Sequence, residues 1–275
     1  MRNLDKNVVK DFGDEWKEYN QRSIDNEELE IIFNNYFKIF PFHLVGKNSE
    51  GFDMGCGSGR WAKFIAPKVK KLNCIEPSQL ALKEAKLNLK NHKNCSFHND
   101  DVMRNAISNN SQDFGYSLGV LHHIPNTGLA LQNCVNKLKK GAPFLIYLYY
   151  RFDNKPIWFV IIWRISNMLR GIISKLPFKF KKYITKIIAL LVYFPLARFS
   201  SFLENLGMDV KNVPLSYYRK SSLYTMQTDS LDRFGTKLEQ RFTKDEIYKM
   251  MQCSGLTDIK FSQKRPYWVA VGIKK

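Results

Sequence analysis

The chain has 275 residues, of which 43 are Lys or Arg and 25 are Asp or Glu, so its formal net charge is +18. This length suits one large hydrophobic core, or a core that carries an inserted subdomain. The five cysteines are scattered without a Cys-x-x-Cys pair, which excludes a disulfide framework and argues against a zinc site, so no metal is expected.

Residues 1–44 are predicted to form an N-terminal helical segment. The first six residues are polar and lack the apolar run of a secretion signal, so we expect a cytoplasmic protein. Phe12, Trp16 and Tyr19 follow at helical spacing among charged residues, which predicts a short helix or loop that docks on the core. The apolar positions in residues 27–40 are typical of an amphipathic helix, which ends at Pro41.

Residues 51–61 read Gly-Phe-Asp-Met-Gly-Cys-Gly-Ser-Gly-Arg-Trp, an apolar strand end followed by three glycines at every second position. Glycine adopts positive φ and lets a ligand lie against the main chain, so the segment predicts a tight turn into a helix that can bind a nucleotide or nucleoside. The glycines alone are a weak signal, because ordinary tight turns also use them. Their Gly-x-Gly-x-Gly spacing differs from the Gly-x-Gly-x-x-Gly of NAD-binding turns.

Further strands are predicted downstream, and most of them end in polar residues. The second strand, residues 71–75, is followed by Glu76, where a carboxylate is placed to accept both ribose hydroxyls. The third, residues 95–98, ends in Asn99-Asp100-Asp101, and the fourth, residues 113–118, leads into Gly-Val-Leu-His-His-Ile-Pro.

Helices and a fifth strand complete the pattern. Helices are predicted over residues 60–67, 78–90 and 126–139, and residues 144–150 form an apolar strand without alternation, as in a strand that is covered on both faces. Strands and helices alternate, so the sequence predicts an α/β fold with a doubly wound parallel sheet over residues 45–150.

The order of these features resembles that of the class I, Rossmann-like S-adenosylmethionine (SAM)-dependent methyltransferases. The features are the glycine turn, the acid after the second strand, the acid after the third strand and the apolar fourth strand. Within this family, the chain resembles the small-molecule and sugar O-methyltransferases. The resemblance implies a seven-stranded, mostly parallel sheet with an inserted helical lid between strands 5 and 6. It also implies SAM as the cofactor and S-adenosylhomocysteine as the product.

The resemblance also assigns residues to the cofactor site. It implies that Asp53 faces the methionine amino group, Glu76 the ribose, and Asp101, with Asp100 as the alternative, the adenine amine. In many of these enzymes the segment before the first strand folds over the cofactor, which makes Trp16 a candidate pocket wall. The cofactor-binding residues implied are Asp53, Gly55, Cys56, Gly57, Gly59, Glu76, Pro77, Asp100, Asp101, Val102, Leu118 and Trp16.

The best candidates for a general base are His122 and His123, which follow the fourth strand. Imidazole titrates near neutrality, and the sulfonium methyl group needs only an acceptor held in line and relieved of its proton. The resemblance to O-methyltransferases with a Leu-His-His sequence favours His122, whereas a structural role is expected for at least one of the two. Tyr218 and Asp229 are further catalytic candidates.

Residues 151–240 break the alternating pattern and are predicted to form a basic, apolar helical insertion. Residues 151–200 hold ten Lys or Arg but a single acid, Asp153. No uninterrupted apolar run approaches the roughly 20 residues needed to span a bilayer, and Pro195 interrupts the second run, so transmembrane helices are not expected. The segment is either a helical lid over the substrate or an element on an anionic membrane surface, and a lipid-linked or phosphorylated substrate would suit both.

Residues 206–241 are polar and aromatic, and few of them form a helical or alternating stripe, which predicts an irregular stretch. A long irregular stretch in a compact enzyme is usually functional. Substrate contacts are expected here and at the end of the fifth strand, from Tyr150, Tyr217, Arg219, Tyr224, Asp232 and Arg233. In residues 241–275, Thr243 to Glu246 form a capping box that starts a helix, and two strands follow.

The sequence therefore predicts a SAM-dependent methyltransferase that acts on a small-molecule, sugar or lipid-linked acceptor, and the methyl group is expected to be transferred to oxygen. One alternative is an RNA methyltransferase or nucleic-acid binder, suggested by the basic balance but opposed by the missing (Asp/Asn)-Pro-Pro-aromatic motif after the fourth strand. Another is a membrane-associated protein with an inert SAM fold. We expect a cytoplasmic location that extends to the inner membrane surface, and the oligomeric state is left open.

Overall fold

The computed structural model describes residues 3–275, in which seven strands form one sheet. The strands are β1 Glu50–Met54, β2 Lys71–Ile75, β3 Cys95–His98, β4 Phe114–Leu118, β5 Pro143–Tyr147, β6 Leu256–Phe261 and β7 Val269–Lys274. Their order is β3-β2-β1-β4-β5-β7-β6; β1 to β5 are parallel, and β7 runs antiparallel to both β5 and β6. The prediction of a doubly wound, mostly parallel sheet with a final antiparallel pair is confirmed.

Ten α-helices are described in residues 3–275. They are α1 Lys6–Glu18, α2 Asn26–Phe37, α3 Ala62–Ile65, α4 Gln79–Asn88, α5 Thr127–Lys137, α6 Ile157–Ile173, α7 Phe178–Ile188, α8 Phe194–Asn205, α9 Leu223–Gly235 and α10 Lys244–Cys253. Side chains cap several of them: the Ser78 hydroxyl accepts from the Ala81 amide at the start of α4, and Thr243 and Glu246 form the predicted capping box of α10.

Several boundaries differ from the expected ones. The helix predicted over residues 60–67 is reduced to α3 and a short 3-10 turn, Ala66–Lys68, because Pro67 has no amide hydrogen to continue the α-helical ladder. Strand β5 ends at Tyr147 instead of residue 150, and Tyr150 forms an isolated bridge with Phe242. Strand β6 begins at Leu256, whereas the sequence predicts this strand over residues 259–262.

The chain divides into two compact units, and the sheet belongs to the first. The first unit comprises the described residues up to Gln21, Leu29–Arg151 and Leu238–Lys275; the second comprises Arg22–Glu28 and Phe152–Lys237. Residues 22–28 thus belong with the insertion, whereas the sequence placed them with the N-terminal segment. The reason is Glu28, whose carboxylate accepts hydrogen bonds from the Ser222 amide and the Thr225 hydroxyl of the second unit.

Residues 223–235 form helix α9, so the expectation of an irregular stretch is wrong there. The helix begins after Ser222, whose hydroxyl accepts from the Thr225 amide. Its buried face mixes apolar side chains with Thr228 and Ser230, and the Ser230 hydroxyl donates to the Thr185 carbonyl at 3.0 Å. Because internal hydrogen bonds let polar side chains lie on the buried face, the sequence shows no apolar stripe.

Residues 178–205 form one continuous helix, since five residues in π-helical conformation, Ala189–Tyr193, join α7 to α8. Pro195 follows this π-helical stretch and does not end the helix. By length and composition alone this helix could cross a membrane, which corrects the expectation from sequence; 22% of its apolar window is buried.

Candidate active site

The glycine turn joins β1 to α3 and is tied to the neighbouring strand. The amides of Gly55 and Cys56 both donate to the carbonyl of Ile75, the last residue of β2. Gly57 has φ +54°, and a Cβ built there would lie 2.9 Å from the indole of Trp16. Both the backbone conformation and the close approach therefore require glycine at this position.

Glu76 and the glycine turn are in direct contact. The buried carboxylate of Glu76 accepts from the Gly57 amide at 3.0 Å and from the Ser78 amide at 2.9 Å. Burial raises the pKa of Glu76 to about 7, and the two backbone hydrogen bonds oppose this rise. The carboxylate is thus held at the edge of the sheet where β1 and β2 end.

Asp53 is a second buried carboxyl at this edge. Burial raises its pKa to about 8 and Glu76 adds to the rise, while Tyr116 and Arg60 lower it. The Asp53 Oδ2 atom and the Tyr116 hydroxyl have no well-aligned hydrogen-bond partner in residues 3–275, although they are close enough to affect each other's pKa. A carboxyl kept in this environment would be ionised by a nearby cation.

Helix α1 covers the turn. A Cβ at Gly13 would lie 2.4 Å from the Ser78 hydroxyl oxygen, so α1 packs closely on the start of α4. Trp16 lies against Gly57, and the Arg60 guanidinium lies over its ring at 5.0 Å from the centroid. Trp16 is therefore a wall of the glycine turn, although the sequence alone favoured simple docking of α1 on the core.

A cavity of about 440 Å³ opens beyond the ends of β2 and β3. Its wall contains the predicted residues Pro77, Asp100 and Asp101, together with Leu4, Lys6, Val9, Asn99 and Arg104. Asp101 Oδ1 accepts from the amides of Met103 and Arg104, whereas Asp100 Oδ2 accepts from the Ala106 amide. The side chains of α1 were missed, because nothing local in the sequence indicates where that helix packs.

Two other predicted cofactor residues occupy different surroundings. Val102 is buried in the core cluster that contains Met54 and Ile75. Leu118 is buried at the end of β4, and it is followed by Gly119, where a Cβ would meet no atom within 4 Å. Gly119 was not predicted as a site residue. Its position directly after a central parallel strand is the sequence signal that could have indicated it.

The donors and the space fit an adenosyl ligand. The turn exposes a glycine backbone, two carboxyls are buried beside it, and the cavity lies one strand further along the same edge. The Ser58 hydroxyl of the turn is buried and has no hydrogen-bond partner within residues 3–275. Such an unsatisfied group is what a bound polar ligand or water would pair with. Asp53, Glu76 and the turn would hold SAM, with Pro77, Asp100 and Asp101 at its adenosine end.

His122 and His123 form a short 3-10 turn after β4. The His122 ring is fully buried, stacks on Tyr149 at 3.9 Å between centroids, and has no hydrogen-bond partner for either nitrogen in residues 3–275. Burial lowers its pKa well below 6.5, and His123 and Arg241 lower it further, so the imidazole is neutral at pH 7. Tyr149 and Arg241 were not predicted as site residues. The Arg241 guanidinium lies 5.1 Å from the Tyr149 ring centroid.

His123 has a more structural environment. Its Nδ1 lies 2.7 Å from the Leu238 carbonyl oxygen, and its ring meets Phe12 edge-on at 4.8 Å. These contacts hold the ring in one orientation. They agree with the expectation that at least one of the two histidines has a structural role.

Tyr150 packs against the core of the first unit, with its ring 5.8 Å from that of Tyr267. The other predicted catalytic and substrate residues belong to the second unit, and they are Tyr217, Tyr218, Arg219, Tyr224, Asp229, Asp232 and Arg233.

Several of these residues take part in the packing of that unit. Burial raises the pKa of Tyr218 well above 10, and Asp229 adds to the rise. Arg219 binds the Glu204 carboxylate through two hydrogen bonds of 2.8 Å, and the Arg233 guanidinium lies 5.8 Å from the Trp163 ring centroid. These contacts stabilise the helices, and a role in substrate binding stays a prediction. Within residues 3–275 no group of three His, Cys, Asp or Glu could hold a metal ion.

The chain resembles known proteins in one sequence segment and in its overall fold. A family model described as "Methyltransferase domain" matches residues 52–146. No curated protein shows a significant match. Among solved structures, a SAM-dependent methyltransferase from Thermotoga maritima is 14% identical with a TM-score of 0.53, and the match covers 98% of this chain and all of that one.

Two further structures show the same likeness. A methyltransferase from Bacillus halodurans is 15% identical with a TM-score of 0.50, covering 84% of this chain and 72% of that chain. A Haloferax volcanii methyltransferase, solved in complex with a methyltransferase activator, is 11% identical with a TM-score of 0.51, covering 95% and 96%. At these identities the likeness concerns the fold alone. Together, the family match and the sheet order give residues 52–146 the sequence signature and the fold of a methyltransferase domain.

Proposed function

We propose that the enzyme transfers a methyl group from SAM to an oxygen atom of a small-molecule, sugar or lipid-linked acceptor. The observation that carries the proposal is the position of His122. Its neutral, unbonded imidazole follows the carboxyl end of β4, and the glycine turn and Glu76 follow the carboxyl ends of β1 and β2. Ligands of doubly wound sheets bind at this edge of the sheet, so a base and a cofactor turn share it.

The protein has two tasks in this reaction. When bound, SAM supplies a methyl group that its sulfonium has already activated, so the enzyme has to position the acceptor and take up its proton. A neutral His122 can accept the proton of an acceptor hydroxyl at a ring nitrogen. The stacked Tyr149 ring would then face an imidazolium, which is a favourable contact. Burial opposes the charge, so the proton has to leave again before the next turnover.

Cofactor binding is tested by calorimetry with SAM and with S-adenosylhomocysteine. Glu76→Ala removes the acceptor of the Gly57 amide and should weaken binding by about tenfold or more while the protein stays folded. Glu30→Ala, which removes an exposed carboxylate from α2, is the matched control and should bind as the wild type does. Equal affinities of the wild type and the Glu76 variant would refute this role of the carboxylate.

The acceptor is tested by incubating the enzyme with methyl-labelled SAM and separate extracts of polar metabolites, lipids, RNA and protein. We expect label in the metabolite or lipid fraction, and a product whose new carbon is bonded to oxygen. Label in RNA would support the nucleic-acid alternative, and a product methylated at nitrogen would refute the oxygen assignment. An enzyme that binds SAM and labels none of these fractions would support the inert alternative.

A further inference from the structure

Helix α6 of the second unit has an inverted distribution of polarity. Most of its apolar side chains face solvent: Ile157 is 80% exposed, Met168 73% and Ile172 66%. Polar side chains take part in the contacts within the unit beside the buried Ile173: the Arg170 guanidinium donates to the Thr236 carbonyl at 2.8 Å and to the side chain of Asn167 at 2.9 Å. A helix in water normally does the reverse and buries its apolar face.

The continuous helix of residues 178–205 repeats this inversion. Its buried stripe contains no large aliphatic side chain and consists of Lys181, Thr185, Ala189, Tyr193, Ala197 and Ser200. The Lys181 ammonium donates to the Gly235 carbonyl at 2.9 Å. The opposite stripe is apolar and exposed, and it consists of Phe180, Tyr183, Ile187, Leu190, Leu191, Phe199 and Phe202. The two helices together expose far more apolar surface than the scattered side chains that are normal on a protein in water.

Basic residues accompany this surface. Residues 151–200 hold ten Lys or Arg against the single acid Asp153. Arg164, Lys175 and Lys179 are exposed on or beside the same helices. An apolar face bordered by cations matches an anionic bilayer, whose headgroups attract the cations while the acyl boundary takes up the apolar side chains. A protein partner would need no such one-sided charge.

The internal contacts favour helices that lie in the plane of the membrane. The 28-residue helix is long enough to cross a bilayer, but its buried stripe is bonded to α9 through Lys181 and through the carbonyl of Thr185. Crossing would remove these polar groups from their partners and place them in hydrocarbon, which is costly. A helix that lies in the interface keeps the contacts and buries only its outer face.

We propose that the exposed faces of α6 and of residues 178–205 form a docking surface for an anionic phospholipid bilayer and lie in the plane of its interface. The proposal goes beyond methyl transfer and does not depend on it, because the surface consists of residues of the second unit alone. A membrane-bound enzyme would meet lipid-linked acceptors at high local concentration.

The test is flotation of the full-length protein with vesicles of phosphatidylglycerol and phosphatidylethanolamine, and with vesicles of phosphatidylcholine. The variant Ile161→Ser/Ile165→Ser/Leu191→Ser should lose about tenfold or more of the binding. The control Ile31→Ser/Leu87→Ser/Leu129→Ser removes side chains that are 44% to 56% exposed, against 50% to 67% in the test variant, and should float like the wild type. Circular dichroism and the unfolding midpoint of each variant establish that the fold is retained.

Two further experiments test the role of the positive charge and the contact of α6 with the lipid. Lys175→Gln/Lys179→Gln should weaken binding to the anionic vesicles, with the loss reduced at high salt, because both ammonium groups are exposed. Brominated lipids should quench the fluorescence of Trp158, which is 47% exposed on α6, and Trp158→Phe should lose this part of the quenching.

Four outcomes would overturn the proposal. The first is that the wild type does not float with anionic vesicles, and the second is that the serine variant floats like its control. The third is binding that resists alkaline carbonate, as a membrane-spanning helix does. The fourth is that the wild type self-associates without binding vesicles and that the serine variant abolishes this self-association. The last result would assign the surface to a second copy of the chain. None of these readings measures methyl transfer, so failure here leaves the proposed function standing.

Discussion

Replacing Asp53 with asparagine should stabilise the ligand-free protein at high pH and weaken its binding of SAM. Burial raises the pKa of Asp53 from 3.8 to about 8, so the folded state retains a proton that the unfolded chain has released. Stability is therefore highest below the ordinary pKa and is lost as the pH rises toward about 8. At roughly 1.4 kcal/mol for each pKa unit, the rise corresponds to an upper limit of about 6 kcal/mol, which the amide side chain avoids.

The assay is urea unfolding of wild type and Asp53→Asn at roughly pH 5, 7 and 9. The two proteins should converge in stability toward acid pH, and the variant should exceed the wild type by a few kcal/mol at the highest pH. Asp258→Asn is the control, because Asp258 is exposed and its φ of +50° suits asparagine. The reasoning is refuted if Asp53→Asn is the less stable protein at high pH, or if it keeps the pH dependence of the wild type.

SAM binding supplies a second, independent reading of the same carboxyl. The ligand carries positive charge, and a cation beside Asp53 would lower the pKa of the carboxyl and expel its proton. Calorimetry near pH 7 in buffers of different ionisation enthalpy should detect the release of roughly one proton by the wild type and a loss of this release in Asp53→Asn. Equal proton release by both proteins would place the cation elsewhere.

Three other substitutions test other parts of the molecule. Gly57→Ala places a Cβ 2.9 Å from Trp16 at a φ of +54°, so it should lower both the unfolding midpoint and the affinity for SAM. The control Gly128→Ala should lower neither, because its Cβ meets only Asn126, at 3.7 Å. His122→Ala should retain SAM affinity in calorimetry and lose about a hundredfold in labelled-methyl transfer, and undiminished turnover would exclude it as the base. Arg219→Met should destabilise the protein slightly at neutral pH in urea unfolding, and this effect should vanish in acid. Arg219 holds the pKa of Glu204 below its ordinary value, and protonation of Glu204 ends their attraction. A loss of stability that does not depend on pH would contradict this.

Local signals predicted the strands and turns of the sheet. The bounds of β2 and β3, the glycine turn and the capping box of α10 agree with the structure, because each depends on neighbouring residues: an apolar run, a glycine conformation or a side chain bonded three residues away. The contact between Glu76 and the Gly57 amide also follows from topology, since adjacent parallel strands end at the same edge.

Long-range packing decided what the sequence did not reveal. The placement of Trp16 on Gly57, and of Tyr149 on His122, joins segments far apart in the chain. Helix α9 was not predicted because its buried face includes polar side chains, such as that of Ser230, which donates a hydrogen bond to another helix. Apolar periodicity detects a helix only when its buried face is apolar.

The sequence by itself determined a class I methyltransferase core, because a strand, a glycine turn and an acid at set spacing are properties of the local chain. The tertiary structure alone decided which faces of α6 and of residues 178–205 are exposed. Composition shows that these helices are apolar and basic, but only the tertiary contacts show that the side chains of Arg170 and Lys181 point inward. Orientation of a helix depends on the hydrogen bonds that its neighbours offer, and those neighbours lie up to 66 residues away in the chain.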